Sequence, residues 1–286
     1  MFVTQSLAIP FSPSYNVPNN RQAYAYDVGR VGCLMLHGFL GSPASSNPMA
    51  SYLSGRGITV HCPLLPGHGE LPNKLVGASR EAWLAEAEEG LARLQQQCEE
   101  IFLLGHSMGT VLCAYLASKE TEINGIILFA PLDTLPDKRL HAFRALRYVM
   151  PWLYPMKFGN LRELVVERLH EFDPSIDLDD PDVKSRIPEM TRVPTAAIDE
   201  MRKTVSMGRK LWPQLTFPAA IFQGGADIAS DPDGAREVFN SLAAIDKQLF
   251  FFESAGHELM RPSDPAHLEI WSDVYQFIST HSSLDQ

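Results

Sequence analysis

Short runs of apolar and β-branched residues recur along the 286-residue chain, each bounded by polar or glycine-containing segments. Apolar runs without polar alternation are typical of strands that are buried on both faces of a parallel sheet. A further segment, Tyr24–Arg30, predicts an antiparallel edge strand. The buried strands are predicted at Val31–Leu36, Ile58–Cys62, Ile101–Leu104, Ile126–Ala130, Ala219–Gln223 and Gln248–Phe252.

Helical periodicity separates these runs. Ala87, Leu91 and Leu94 follow one another at intervals of four and three residues, which is the spacing of one helix face. Because helices alternate with strands, the pattern predicts an α/β fold with a doubly wound, mostly parallel sheet. The helices are predicted at Ser79–Cys98, Ser107–Lys119, Asp231–Leu242 and Pro265–Thr280.

The interval 133–218 breaks this alternation, because a crossover between two strands usually needs far fewer residues. It shows helical periodicity at Leu161–Leu169 and Thr195–Gly208. We therefore predict a helical cap at 133–218, inserted into a core formed by 1–132 and 219–286. One cluster in the cap could pack against the core, line an acyl pocket, or do both. Its members are Trp152, Tyr154, Met156 and Phe158.

Charge and hydropathy narrow the classes of function. The net charge of −10 argues against nucleic-acid binding, which needs clustered Lys and Arg. The longest apolar run, near Gly125–Leu132, is far shorter than the roughly 20 residues of a membrane-spanning helix. The N-terminus lacks the charged and apolar regions of a signal peptide. We expect a soluble, cytoplasmic protein without a membrane span, and the sequence leaves its oligomeric state open.

The cysteines and the acidic residues suggest no metal site. Cys33, Cys62, Cys98 and Cys113 lie in apolar or helical stretches without CxxC spacing, which predicts buried free thiols in a reducing compartment. The acidic stretch Asp173–Asp182 lacks the central glycine of an EF-hand loop, so we interpret it as a solvated loop. No metal and no cofactor are predicted.

The strongest chemical signal is the motif Gly105-His-Ser-Met-Gly109, which follows one predicted strand and precedes a predicted helix. A serine on a sharp strand-to-helix turn has a strained backbone, and glycines two positions away remove side chains that would clash. The turn exposes the hydroxyl and directs backbone N–H groups of the helix toward a developing oxyanion. This context predicts that Ser107 is a catalytic nucleophile.

Four other segments accompany this motif in a familiar order: LMLHGFLGS at Leu34–Ser42, PLLPGHGE at Pro63–Glu70, GGAD at Gly224–Asp227 and AGHEL at Ala255–Leu259. Together the five segments resemble the α/β-hydrolase fold and, within it, the bacterial carboxylesterase and monoacylglycerol-lipase group. The likeness spans nearly the whole chain except the cap and the first twenty or so residues. The resemblance implies a serine hydrolase.

The chain order of this fold is serine, acid, histidine. His257, in a loop between the last predicted strand and the last predicted helix, is therefore expected to be the base of Ser107. Two aspartates could support it. Asp227 stands at the usual position, and Asp133 at a position that some relatives use instead; we favour Asp227. One departure is Ile228, since many relatives place valine or proline shortly after this aspartate.

The resemblance also implies an oxyanion hole formed by backbone N–H groups. One belongs to Met108, which follows the nucleophile, and the other to Phe39 in the loop after an early strand. Thr110 is a departure, since many relatives have a glycine there.

The predicted function is hydrolysis of carboxylic esters, with short- to medium-chain acyl esters or monoacylglycerols as substrates. The same residues would also suit cleavage of a C–C, thioester, amide or peptide bond, or cofactor-free peroxidation, because fold and triad do not determine the substrate. A ligand-binding protein without catalysis is a further alternative. It is disfavoured because every triad position is occupied.

Overall fold

The computed structural model describes residues 19–134, 145, 147–157, 162, 165–166, 169–170 and 175–284. Their strands are β1 (Tyr24–Tyr26), β2 (Val31–Leu36), β3 (Ile58–Cys62), β4 (Glu100–His106), β5 (Gly125–Phe129), β6 (Trp152–Leu153), β7 (Val193–Pro194), β8 (Ala219–Gly224) and β9 (Lys247–Phe252). Their principal helices are α1 (Asn47–Ser54), α2 (Arg80–Gln95), α3 (Met108–Lys119), α4 (Pro181–Thr191), α5 (Thr195–Leu211), α6 (Pro232–Ser241) and α7 (His267–Thr280).

Seven strands form one sheet in the order β1-β3-β2-β4-β5-β8-β9. Only β1 is antiparallel within this sheet, since it pairs with β3 through Tyr24–Cys62 and Tyr26–Val60. The predicted α/β class, the mostly parallel sheet and the antiparallel edge strand are confirmed. The edge strand is shorter than the segment Tyr24–Arg30 suggested.

Two apolar layers explain why the central strands lack polar alternation. Leu34 and Leu36 of β2 face a cluster shared with α2 and α3, whereas Cys33 and Met35 face a second cluster shared with α1 and α7. Successive side chains of a strand point to opposite faces, so a strand between two helical layers must be apolar at every position. All four cysteines are buried free thiols, as predicted.

Two elements differ from the sequence prediction. Strand β9 is only half-buried, because it closes the sheet edge opposite β1. Helix α1 was not predicted: its eight residues include Ser51, Ser54 and Pro48, a composition that also suits a loop. Its Met49 and Leu53 nevertheless pack against the sheet.

The segment between β5 and β8 leaves the sheet and returns to it. Helix α5 begins at the predicted Thr195, continues beyond Gly208 to Leu211 and packs against α3. Strands β6 and β7 pair separately from the main sheet. Most of the predicted helix at Leu161–Leu169 lies outside the described residues, and the boundaries of the cap stay a prediction. In the described part of the chain, no helix combines the length and the apolar character needed to cross a bilayer.

Candidate active site

The candidate residues lie beyond the carboxyl ends of three strands. Ser107 follows β4, Asp227 follows β8 and His257 follows β9. These strands are parallel, so their carboxyl ends meet at one edge of the sheet. Residues that are far apart in sequence thereby reach one place.

Ser107 occupies a strained turn. Its backbone has φ 53° and ψ −119°, outside the usual regions for a residue with a side chain. Its N–H donates to the Phe129 carbonyl at 2.8 Å, which holds the turn against β5. Leu40 and Ala130 also have positive φ, and they follow β2 and β5. Such strain persists where the surrounding structure enforces it, and it often marks a functional site.

The two glycines of the motif make this turn possible. A Cβ at Gly105 would lie 2.5 Å from the carbonyl carbon of Gly109, and a Cβ at Gly109 would lie 1.9 Å from the carbonyl oxygen of Leu36. Both contacts are with backbone, which cannot move aside as a flexible side chain can. The motif therefore requires glycine for steric reasons.

Gly109→Ala is expected to destabilise the fold. The added methyl group must displace the backbone at the end of β2, at a cost of about 3 kcal/mol, which corresponds to a Tm lower by roughly 6 °C or more. Thermal unfolding followed by circular dichroism measures this. Gly256→Ala is the matched control, because a Cβ there meets nothing within 4 Å. Equal Tm values for the two variants would contradict the steric argument.

Asp227 is held by five hydrogen-bond donors. Its Oδ1 accepts from the backbone N–H groups of Ala229 and Ser230, both at 2.8 Å. Its Oδ2 lies 2.8 Å from His257 Nδ1 and accepts from Ser230 Oγ at 2.5 Å and Gln223 Nε2 at 3.2 Å. Because an ionised carboxylate only accepts, Nδ1 of His257 carries the proton and Nε2 is left as an acceptor.

The surroundings keep Asp227 ionised. Burial alone would raise the pKa of this carboxyl, but the hydrogen bonds and charge of His257 and the hydrogen bonds of Ser230 outweigh it. The pKa is held well below its usual range as a result. A carboxylate with this pKa remains negative at every pH at which His257 could act as a base.

Asp133, the alternative acid, has a different partner. Its Oδ2 accepts from Arg209 Nε at 3.1 Å and from Arg209 Nη2 at 2.9 Å. Arg209 belongs to α5, so this ion pair joins the end of β5 to the segment predicted as the cap. The structure therefore brings Asp227, rather than Asp133, to His257.

His106 connects the serine turn to the histidine loop. Its Nε2 donates to the carbonyl oxygen of His257 at 2.9 Å, and the centroids of the two rings are 4.7 Å apart. Because His106 directly precedes Ser107, this contact fixes the loop of the candidate base beside the candidate nucleophile.

The loop after β2 lies against Ser107. A Cβ at Gly38 would be 3.0 Å from the Cβ of Ser107, a tight contact that places this loop directly against the serine. His37 supports the loop: its Nδ1 donates to the Gly38 carbonyl at 3.0 Å, and its Nε2 accepts from the Leu65 N–H at 3.1 Å. Burial, reinforced by His68, holds the pKa of His37 well below its ordinary value and keeps the ring neutral.

The segment predicted as the cap packs onto this loop. Val193 and Ile198 form a small apolar cluster with Leu153, and the cluster contacts Phe39 and Leu40. The cluster predicted from the sequence included Trp152 and Tyr154, the chain neighbours of Leu153, but not Leu153 itself. Leu153 was missed because a two-residue strand such as β6 leaves no periodicity to detect.

The residues predicted to line an acyl pocket lie close to Leu153 in the chain but make different contacts. The guanidinium carbon of Arg192 lies 3.8 Å from the ring centroid of Trp152, and Lys157 Nζ lies 5.0 Å from the ring centroid of Tyr154. Met156 is half-buried in a short 3₁₀ turn, Pro155–Lys157. Phe158 lies outside the described residues. A pocket-lining role for these residues stays a prediction.

Three polar residues that were not predicted from the sequence also support the site. Ser230 and Gln223 donate to Asp227, and Thr110 Oγ1 donates to the Ser107 carbonyl at 2.6 Å. Each of the three has a weak sequence feature that could have indicated its role. Gln223 is a polar residue in an apolar strand, Ser230 follows an aspartate at turn spacing, and Thr110 was noted only as a departure from glycine.

Comparison with a protein-family model gives a match over residues 30–264. The family is Hydrolase_4, described as "Serine aminopeptidase, S33". The match includes all five motif segments and the interval between β5 and β8.

Known proteins similar to the chain include two bacterial enzymes. It is 29% identical over 246 residues to the thermostable monoacylglycerol lipase of Bacillus sp. (strain H-257), with 86% of the chain and 90% of that enzyme covered. It is 26% identical over 260 residues to a carboxylesterase of Bacillus subtilis (strain 168), with 89% and 95% covered. The crystal structure of the Paleococcus ferrophilus monoacylglycerol lipase shares its fold, with a TM-score of 0.69, 20% identity, and 91% and 100% coverage.

Proposed function

The chain belongs to the Hydrolase_4 family, and we propose that it is a carboxylic-ester hydrolase that forms an acyl-enzyme on Ser107. One observation carries the proposal: the 2.8 Å contact between His257 Nδ1 and an ionised Asp227 leaves His257 Nε2 as a base at the same sheet edge as Ser107. The names of the bacterial relatives favour monoacylglycerols or other carboxylic esters as substrates, and we propose that their acyl chains are short to medium in length.

The first half of the reaction forms the acyl-enzyme. Ser107 Oγ attacks the ester carbonyl carbon while His257 Nε2 takes the hydroxyl proton. The carbonyl oxygen becomes an oxyanion that accepts hydrogen bonds from the backbone N–H groups of Phe39 and Met108. Asp227 stabilises the imidazolium, which then protonates the departing alcohol as the C–O bond breaks.

The second half regenerates the serine. His257 takes a proton from water as the water oxygen attacks the acyl carbon, and the same oxyanion donors act again. The proton returns to Ser107 Oγ as the carboxylic acid is released. Neither half of this proposed reaction needs a metal or cofactor.

The apolar contacts of the loop after β2 support an acyl substrate. Phe39 and Leu40 are partly exposed, and they pack against Val193 and Ile198 of the segment predicted as the cap, as Leu153 does. An acyl chain bound near Ser107 would meet apolar side chains here, and its burial would contribute about 0.8 kcal/mol per methylene.

The family description names an aminopeptidase, so peptide hydrolysis is the second candidate. Recognition of a free amino terminus calls for an unpaired carboxylate near the nucleophile. Of the described aspartates at this sheet edge, the two considered as the triad acid are already paired, Asp227 with His257 and Asp133 with Arg209, so neither offers that carboxylate.

The test is a substrate panel. Purified protein is assayed on p-nitrophenyl esters with two to sixteen acyl carbons, on monoacylglycerols and on aminoacyl p-nitroanilides. We expect turnover of the esters and monoacylglycerols, with an optimum at short to medium chains, and at least about a hundredfold lower kcat/KM on the anilides. A preference for the anilides would replace the ester proposal with the peptidase.

A further inference from the structure

Asp227 Oδ2 accepts several hydrogen bonds at once. It receives hydrogen bonds from His257 Nδ1, Ser230 Oγ and Gln223 Nε2, at 2.8, 2.5 and 3.2 Å. The bond to the candidate base is therefore one of three on the same oxygen. Gln223 is fully buried and Ser230 nearly so, which makes their positions part of the folded core.

Ser230 belongs to the turn that follows Asp227. After Asp227 the chain continues Ile228-Ala-Ser230, and the turn places the Ser230 backbone N–H on Oδ1 and its hydroxyl on Oδ2. Ser230 thus donates a hydrogen bond to each oxygen of the carboxylate. Gln223 is fixed in turn, because its Nε2 also donates to the Gly224 carbonyl at 3.0 Å.

We propose that Ser230, assisted by Gln223, is a positioning residue that sets both the orientation of Asp227 and the basicity of His257. This inference rests on the proposed esterase function. A hydroxyl on Oδ2 restricts rotation of the carboxylate and draws off part of its negative charge. The imidazolium of His257 then receives less stabilisation from Asp227, so His257 remains unprotonated to a lower pH.

Other titratable groups among the described residues lie in the elements around this pair, and Glu258, beside His257 in the chain, is paired with Arg261. The His106 ring lies 4.7 Å from that of His257. Asp231 is exposed and caps α6 by accepting from the Asp233 N–H, and Asp133 is neutralised by Arg209. Among the described residues that hydrogen-bond to the Asp227 carboxylate, only His257 is titratable, so a change at Ser230 acts on the pH profile through this pair.

Ser230→Ala is expected to lower kcat on a p-nitrophenyl ester about tenfold, with KM changed less than about twofold. Removing the hydroxyl leaves more charge on Oδ2, which favours protonated His257. The acid limb of the kcat/KM profile should therefore move to higher pH by about half a unit. Ser230→Thr, which keeps the hydroxyl, should restore both quantities, and Gln223→Leu should move the limb in the same direction.

Ser241→Ala is the control, because this exposed serine at the end of α6 bonds only to the Glu237 carbonyl among the described contacts. NMR titration of the His257 ring measures the same pKa shift without substrate. If the wild type shows no Ser107-dependent ester hydrolysis, the proposed function fails, and the titration alone still decides the role of Ser230. A lower kcat with an unmoved His257 titration, or one that threonine fails to rescue, overturns the proposal.

Discussion

Ser107→Ala is expected to abolish ester hydrolysis, with kcat lower by about 10⁵-fold or more. Without Oγ no acyl-enzyme can form, and His257 has no nucleophile to activate. The oxyanion donors are backbone groups and survive the substitution, so a small residual rate above that in water should persist. Hydrolysis of p-nitrophenyl esters and monoacylglycerols, with enzyme concentration raised for the variant, measures the ratio.

The substitution should leave the fold intact. Ser107 makes its turn contacts through backbone atoms, its N–H to Phe129 and its carbonyl to Thr110. The control is Ser118→Ala on the exposed face of α3, whose hydroxyl bonds only to the Tyr115 carbonyl among the described contacts. A fluorophosphonate should add to the wild type and to Ser118→Ala, as intact mass shows, but not to Ser107→Ala. Full activity in Ser107→Ala would remove the serine mechanism altogether.

The arrangement of the sheet was largely predictable because burial on both faces leaves a direct mark on the sequence. Strands such as Val31–Leu36 are apolar throughout, since alternate side chains face different helical layers. Strand β9 was predicted as fully buried because its run Leu249–Phe252 is as apolar as a central strand. Whether a strand lies at the edge of the sheet depends on the whole topology, so a local sequence pattern does not reveal it.

Some residues of the candidate site could likewise be predicted from the sequence, and others could not. Ser107 could be found because a strained turn demands glycines at fixed spacing, and this steric requirement is local. Ser230 and Gln223 lie within four residues of Asp227 in the chain, but a serine or glutamine at these spacings donates to the carboxylate only in the particular turn that follows β8, and many other turns share the same spacing. Leu153 could not be assigned because its packing against Val193 and Ile198 depends on how distant parts of the chain come together.

Asp227→Asn is expected to lower kcat about 10⁴-fold while KM changes little. An asparagine offers no negative charge to the imidazolium, and its amide group no longer selects the His257 tautomer with a proton on Nδ1. His257 Nε2 then ceases to be the acceptor for the Ser107 proton. Steady-state kinetics on a p-nitrophenyl ester measure the loss.

Asp133→Asn is the matched comparison, because the same chemical change is made at the other candidate acid of this sheet edge. Its carboxylate pairs with the half-exposed Arg209, so its substitution should cost about 1 kcal/mol of stability and alter kcat less than about threefold. The ratio of the two effects decides the assignment, since loss of the catalytic acid acts on the rate and loss of the ion pair acts on the attachment of α5. If Asp133→Asn were the slower enzyme, the 2.8 Å contact between Asp227 and His257 would be structural, and the acid would have to be reassigned to Asp133.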